Sequence, residues 1–202
     1  MNDTVKNSDL SPSRALHPGK STESKGDISE EKIEYDEKQP LSGVFARIAQ
    51  YCLGNPHTKD VIYVTASTTL GNHPSQVLDN FWQSHWVSDN SPDQWIKFDM
   101  KQTKVSVTHY VIKTINYVSG GNHLKSWVFE GSSNDNDWIE LDKRQSTNDL
   151  NDRSAVACFK TKLGGIYRYY RLRQIGPSHC ESHMMALTNI ELFGSLRMDP
   201  SV

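Results

Sequence analysis

The chain has 202 residues, enough for one domain with a sizeable core and a tail. Its net charge of −2 and pI of about 6.4 offer no bulk attraction to nucleic acid or to an anionic membrane surface. No apolar run approaches the roughly 20 residues that span a bilayer, and the N-terminus lacks a signal-peptide core.

Residues 1–40 are dominated by Ser, Asp, Glu, Lys, Asn and Pro, with Tyr35 the only aromatic. Such a segment cannot offset its ordering entropy by burial, so a disordered tail is expected over 1–40. After Pro40, Val44, Phe45, Ile48, Ala49 and Cys52 recur at helical spacing, and Gly54-Asn55-Pro56 stops the run. This predicts a short helical lead-in over 41–58. Beyond it the period changes to two. Strands are expected at Val61–Ala66, Trp95–Met100, Val105–Ile115, Ser126–Glu130, Asp137–Leu141, Ala155–Thr161, Tyr167–Gln174 and Thr188–Phe193. A turn-rich hairpin loop, Gly131–Asn136, separates two of them. About eight short strands without a long helix predict an all-β sandwich or closed barrel over 59–197, with a short tail over 198–202.

Trp95, Trp127 and Trp138 read as core or near-core packing, with Trp127 and Trp138 on paired strands in cross-strand contact. Arg168, Arg171 and Arg173 alternate with Tyr170 and Leu172, which predicts arginines facing solvent. The three cysteines, Cys52, Cys158 and Cys180, are odd in number and widely spaced. They fit no disulfide framework and suggest a reducing, cytoplasmic setting.

The order of motifs is recognisable. Val64–Thr68 precedes Val77-Leu78-Asp79-Asn80, His85-Trp86-Val87-Ser88 and Gln94–Asp99. Lys125–Ser132 and Asp137-Trp138 follow, and Arg168–Arg173 and Ile190–Gly194 close the series. Over roughly residues 60–195 this resembles the discoidin domain, also called the coagulation-factor type C domain. The resemblance implies an eight-stranded, galactose-binding-like jelly-roll β-sandwich. It also implies loops at one end that bind a carbohydrate or a polar peptide or protein, with no catalysis and no cofactor. Extracellular members commonly join the two ends of the domain by a disulfide. Here Cys52 lies near one end and no cysteine follows Phe193, so that tie is absent. No loop shows the paired large hydrophobics of members that insert into lipid, so membrane insertion is not expected. A narrower resemblance is to the Doc-type variant, which recruits substrates to a ubiquitin ligase. It rests on Asp79-Asn80, His85–Asp89 and Glu181–Met184.

The stretch Ile175–Met184, IGPSHCESHM, looks like a metal site and raises a third reading, a metal-dependent hydrolase. A helix there would put His179 and His183 one turn apart, yet Glu181 would point away from His179. No second ligand cluster completes the set, so a loop between strands is expected and no metal. In the jelly roll this loop would join three others at one end. The candidate ligand-binding residues are Asn72 and His73; Asp79, Phe81 and His85; Tyr117 and Asn122; and His179 and His183. Neutral polar groups beside aromatic faces suit a sugar or a polar peptide. Asn, Gly and Ser are equally turn formers, and Asp79 equally caps a turn.

Overall fold

Alternating burial along Trp95–Asp99, where Ile96 and Phe98 are inside and Trp95, Lys97 and Asp99 are not, sets the plan of two facing sheets. The computed structural model describes residues 30–198. In chain order they form β1 (Glu30–Ile33), α1 (Val44–Tyr51), β2 (Tyr63–Ala66), a 3-10 turn (Pro74–Leu78), β3 (Trp86–Val87) and β4 (Trp95–Asp99). Next come β5 (Lys104–Lys113), β6 (Trp127–Ser132), β7 (Ile139–Arg144) and β8 (Val156–Lys160). β9 (Ile166–Tyr167), β10 (Tyr169–Gln174), β11 (Ala186–Leu187) and β12 (Asn189–Arg197) complete the fold. One sheet has the order β1-β12-β5-β8, with β9 also on β5. The other runs β2-β4-β10-β6-β7, and β11 pairs with β3 as a short ribbon. All these pairings are antiparallel, and the architecture is the expected jelly-roll sandwich.

The eight expected strands are all present. β1, β3, β9 and β11 were not expected, and β12 runs on to Arg197. The disordered reading of 1–40 needs correction at its end, because Glu30–Ile33 pairs with Arg197–Gly194. Glu30 meets Arg197 at 2.5 Å, Glu31 meets Arg47 at 3.0 Å, and Ile33 is buried. Tyr35 sets its ring edge-on to Phe193, 5.4 Å between centroids. Charged residues suit an edge strand, and that strand needs a partner at the far end of the domain that composition does not reveal. The expectations for 1–29 and for all but the first residue of 198–202 lie outside the described residues.

Two register details place the core. β5 buries Val105 and Val107, then Tyr110 and Ile112, so its alternation slips by one residue at Thr108. The slip is a bulge opposite Phe193/Gly194. Gly194 has φ +148°, and a Cβ there would collide with the Ser106 carbonyl, so only glycine fits. With Tyr110 turned inward, Trp127 Nε1 donates to its hydroxyl at 2.8 Å and the hydroxyl donates to Asp142 at 2.9 Å. Arg144 Nε donates to the same Asp142 oxygen at 2.7 Å. Burial and the Asp142 charge push the Tyr110 pKa far up, keeping this hydroxyl a donor.

The tryptophans divide. Trp127 is fully buried against Phe159, whereas half-buried Trp138 stacks under the Arg171 guanidinium, 3.8 Å from its ring centroid. They are not cross-strand neighbours, because Trp127 lies opposite Arg144. Arg171 and Arg173 are not free in solvent either. Both donate to Glu130, at 2.8 Å and 3.0 Å, and Glu130 is nearly buried. Arg168 is exposed and paired with Asp99.

The helix is anchored by a carboxylate from the far end of the chain. Gly43 caps α1 without a side-chain bond of its own. Glu191 of β12 fills the gap, its Oε1 accepting from Phe45 N–H at 2.8 Å and its Oε2 from Ala46 N–H at 3.0 Å. Oε1 also accepts from Leu192 N–H at 2.8 Å. A Cβ on Gly43 would run into Glu191 Cγ, so glycine makes the approach possible. Burial pushes the Glu191 pKa up to about 7, although the backbone donors pull it down.

Glu191 therefore binds its proton more tightly in the folded chain than in the unfolded one. Its contribution to stability is full below about pH 4.5 and is lost as pH rises through about 7. Glu191→Gln turns an amide toward backbone donors and should cost about 1–3 kcal/mol at pH 5 in urea unfolding. The gap from wild type should narrow by pH 7; a widening gap would mean that Glu191 is ionised in the fold. Comparing the two proteins cancels His57, whose pKa is lowered mainly by burial and which acts in the opposite sense. Tyr110→Phe strands the Trp127 N–H and should cost about 1–3 kcal/mol, read as a shift in the urea midpoint.

Candidate functional site

β5 makes its last ladder pair at Lys113, and the chain then leaves the sheet as the loop 114–126. Two further connections meet it, the segment leading into β3 and the segment between β10 and β11. Together they bound a cleft of about 430 Å³, within the roughly 300–1,000 Å³ of small-molecule sites. Its polar lining is Gln83, His85, Asn116 and Asn122; Tyr117 and Met184 add polarisable surface, and Val87, Ile115 and Ala186 are apolar.

The walls are tied to one another. Asn72 Nδ2 donates to Ser84 Oγ at 3.2 Å and to the His85 carbonyl at 3.0 Å. Asn122 Oδ1 accepts from the Cys180 thiol at 2.8 Å, and Asn122 Nδ2 lies 3.8 Å from Met184 Sδ. Asn90 Oδ1 accepts from His183 N–H at 2.8 Å.

Of the nine residues expected from the sequence, the cleft gathers three: His85, Tyr117 and Asn122. Asn72 stands behind them, through its bonds to the His85 loop. The other five are placed elsewhere. His73 stacks on His57, 4.9 Å between centroids, and its Nδ1 accepts from Ser75 N–H to cap the 3-10 turn. His57 Nδ1 in turn accepts from Val64 N–H at 3.1 Å. Asp79 caps a turn, accepting from Phe81 N–H at 2.9 Å. Asp79 and the 83% exposed Phe81 border a separate groove beside α1. His179 Nε2 donates to the Thr147 carbonyl at 3.1 Å, and burial lowers its pKa. His183 contributes only its backbone N–H.

IGPSHCESHM forms no helix; its turn closes by Glu181 N–H to the Ser178 carbonyl, with Glu181 at φ 59°. Among the described residues no group of three His, Cys, Asp or Glu is placed to hold a metal ion. The expectation of no paired hydrophobics on a loop is corrected, since Tyr117 and Val118 are both more than half exposed.

Gln83, Asn116 and Met184 went unrecognised. Gln83 and Asn116 adjoin chosen residues in the same loops. Met184 adjoins the chosen His183. Among the described residues, no carboxylate, lysine or arginine lines this cleft. It therefore lacks the paired carboxylates of glycoside hydrolysis and offers neutral donors and acceptors over an apolar floor.

The family profile described as "F5/8 type C domain" matches residues 63–180. No curated protein matches the sequence. Among solved structures, CpGH89CBM32-5 from Clostridium perfringens, in complex with GalNAc-β-1,3-galactose, is similar in fold. It has a TM-score of 0.54 at 11% identity, over 66% of this chain and 96% of that one. The CBM32 of AlyQ, in complex with 4,5-unsaturated mannuronic acid, has a TM-score of 0.53 at 22% identity, over 66% and 95%. The family 32 CBM from C. perfringens NanJ, in complex with galactose, has a TM-score of 0.53 at 10% identity, over 66% and 94%.

If Asp79 serves its turn rather than a ligand, Asp79→Ala should lower stability by about 0.5–2 kcal/mol in chemical denaturation. Ligand affinity of the folded variant should stay within twofold of wild type.

Proposed function

This chain belongs to the F5/8 type C domain family, whose members of this fold are non-catalytic binding modules, and we propose that it binds a neutral carbohydrate in the cleft around Tyr117. The observation that carries the reading is the lining: an exposed tyrosine ring with three amide side chains and an imidazole, and no charged group. Sugar hydroxyls pair with neutral amides, and the apolar faces of a pyranose pack on an aromatic ring. The solved relatives bound to galactose and to GalNAc-β-1,3-galactose support a sugar as the ligand class. A uronic acid, as in the AlyQ module, would find no cation in this lining, so neutral hexoses and hexosamines are favoured. The Doc-type adaptor and the metal-dependent hydrolase are not favoured by these comparisons. A reducing, intracellular setting is part of the proposal and rests on the odd, widely spaced cysteines.

A glycan array, followed by titration calorimetry with galactose, N-acetylgalactosamine and mannuronate, tests the reading. Tyr117→Ala and Asn122→Ala should each weaken binding at least tenfold, about 1.4 kcal/mol, with little change in melting temperature. The His179→Ala/His183→Ala double variant and Lys143→Ala on the sandwich wall should stay within twofold. Wild-type binding that survives both cleft variants, or that prefers mannuronate, would sink the proposal.

A further inference from the structure

His123 lies within the cleft loop 114–126 and is fully buried, yet its imidazole does not simply fill space. Its Nε2 lies 3.2 Å from the Tyr117 carbonyl and 3.0 Å from the Val118 carbonyl. Both are acceptors, so Nε2 carries the proton and Nδ1 is the bare nitrogen. That Nδ1 is buried without a hydrogen-bond partner among the described residues. A buried polar atom left unpaired is a cost that a leucine would not carry, which points to a role for the donor on the other side of the ring. The His123 carbonyl also accepts from His179 N–H at 3.1 Å, tying the loop to the second cleft wall.

The tip that these bonds reach has little else to hold it. Tyr117 and Val118 are 59% and 53% exposed, so packing covers less than half of either residue. The remaining ties are backbone turns, Tyr117 N–H to the Ile115 carbonyl and Gly121 N–H to the Val118 carbonyl, and Gly120 N–H to Asn151 Oδ1 at 2.7 Å. The Tyr117 ring lies over Gly121 so closely that a Cβ there would come within 2.6 Å of its Cδ1.

We infer that His123 is the positioning residue of the cleft: its Nε2–H pins the two peptides at Tyr117 and Val118 and so sets the aromatic surface presented to ligand. The inference rests on the carbohydrate reading for its effect on affinity, but not for its effect on the ring. A fixed platform binds more tightly than a mobile one because less conformational freedom is lost on binding.

The test compares His123→Leu, which fills the site without a donor, with His123→Gln, whose amide keeps one. The first readout is NMR without ligand. Because the Tyr117 ring covers Gly121, the Gly121 α-protons should carry a ring-current shift that Tyr117→Ala abolishes. That shift should collapse in His123→Leu and persist in His123→Gln. The second readout is the affinity for galactose, or for the strongest array glycan. It should fall at least fivefold in His123→Leu and stay within twofold of wild type in His123→Gln. On a Tyr117→Ala background, His123→Leu should cost nothing more, since the two act as one unit. An unchanged Gly121 shift in folded His123→Leu, or full additivity with Tyr117→Ala, overturns the inference. Should His123→Leu fail to fold, the comparison passes to His123→Gln and His123→Asn. Loss of the Gly121 shift in both of these folded donors would equally overturn it. Wild-type protein that binds no glycan while the shift behaves as expected refutes the ligand class and leaves the positioning role standing.

Discussion

The fold depends on one buried carboxylate meeting one exposed set of backbone donors. The first turn of a helix presents N–H groups with no partner inside the helix, and burying them unpaired costs several kcal/mol. Glu191 arrives from the last strand and satisfies them, 146 residues beyond Phe45. The same contacts offset part of the penalty of burying the carboxyl, whose pKa still stands at about 7. Neither half is tolerable alone, so α1 and β12 are ordered together. Gly43 belongs to this constraint because any side chain there would occupy the space of the carboxylate. A carboxyl cap and the pairing of β1 with β12 tie the two ends of the described domain together.

β12 then sets the register of its neighbour. The bulge at Gly194 shifts β5 by one residue, which turns Tyr110 inward instead of His109. Once inside, the Tyr110 hydroxyl links Trp127 to Asp142 and so joins one sheet to the other. Rigid strands beneath the cleft make the position of its loops definite, and binding groups are commonly carried by such loops on a fixed scaffold. The cleft loop leaves the sheet at Lys113, where the ladder beyond the slipped segment ends.

Charge is kept away from the cleft by being paired elsewhere. On the sandwich wall Glu130 holds both Arg171 and Arg173, Asp99 holds Arg168, and Asp135 holds Lys97 at 2.6 Å. Long cationic side chains thus lie over Trp138 and Tyr169 instead of reaching toward the loop end. The cleft is left with amides, an imidazole, a phenol and a thioether. Such groups discriminate by hydrogen-bond geometry and shape rather than by long-range attraction.

The jelly-roll class came from the resemblance of the motif order to the discoidin domain, whereas the eight main strands and the helix at Val44 were legible in the sequence because period-two and helical periodicity are local signals. So was the loop nature of IGPSHCESHM, since a strand pattern on either side leaves room only for a connection. His85, Tyr117 and Asn122 were legible as loop residues because the discoidin-like motif order implied loops gathered at one end of the sandwich. Only the tertiary structure decided what depends on a distant partner. Glu30–Ile33 reads as solvated charge until Arg197 and Arg47 are beside it. His73 and His179 read as ligands until their ring nitrogens are seen bonded to Ser75 and Thr147, and His183 until Asn90 is seen to hold its backbone N–H. A side chain's polarity is written in its own residue, but the group that satisfies it is chosen by the fold. For that reason the sequence determined which segments form strands and loops, and the packing determined which polar residues remained free to bind.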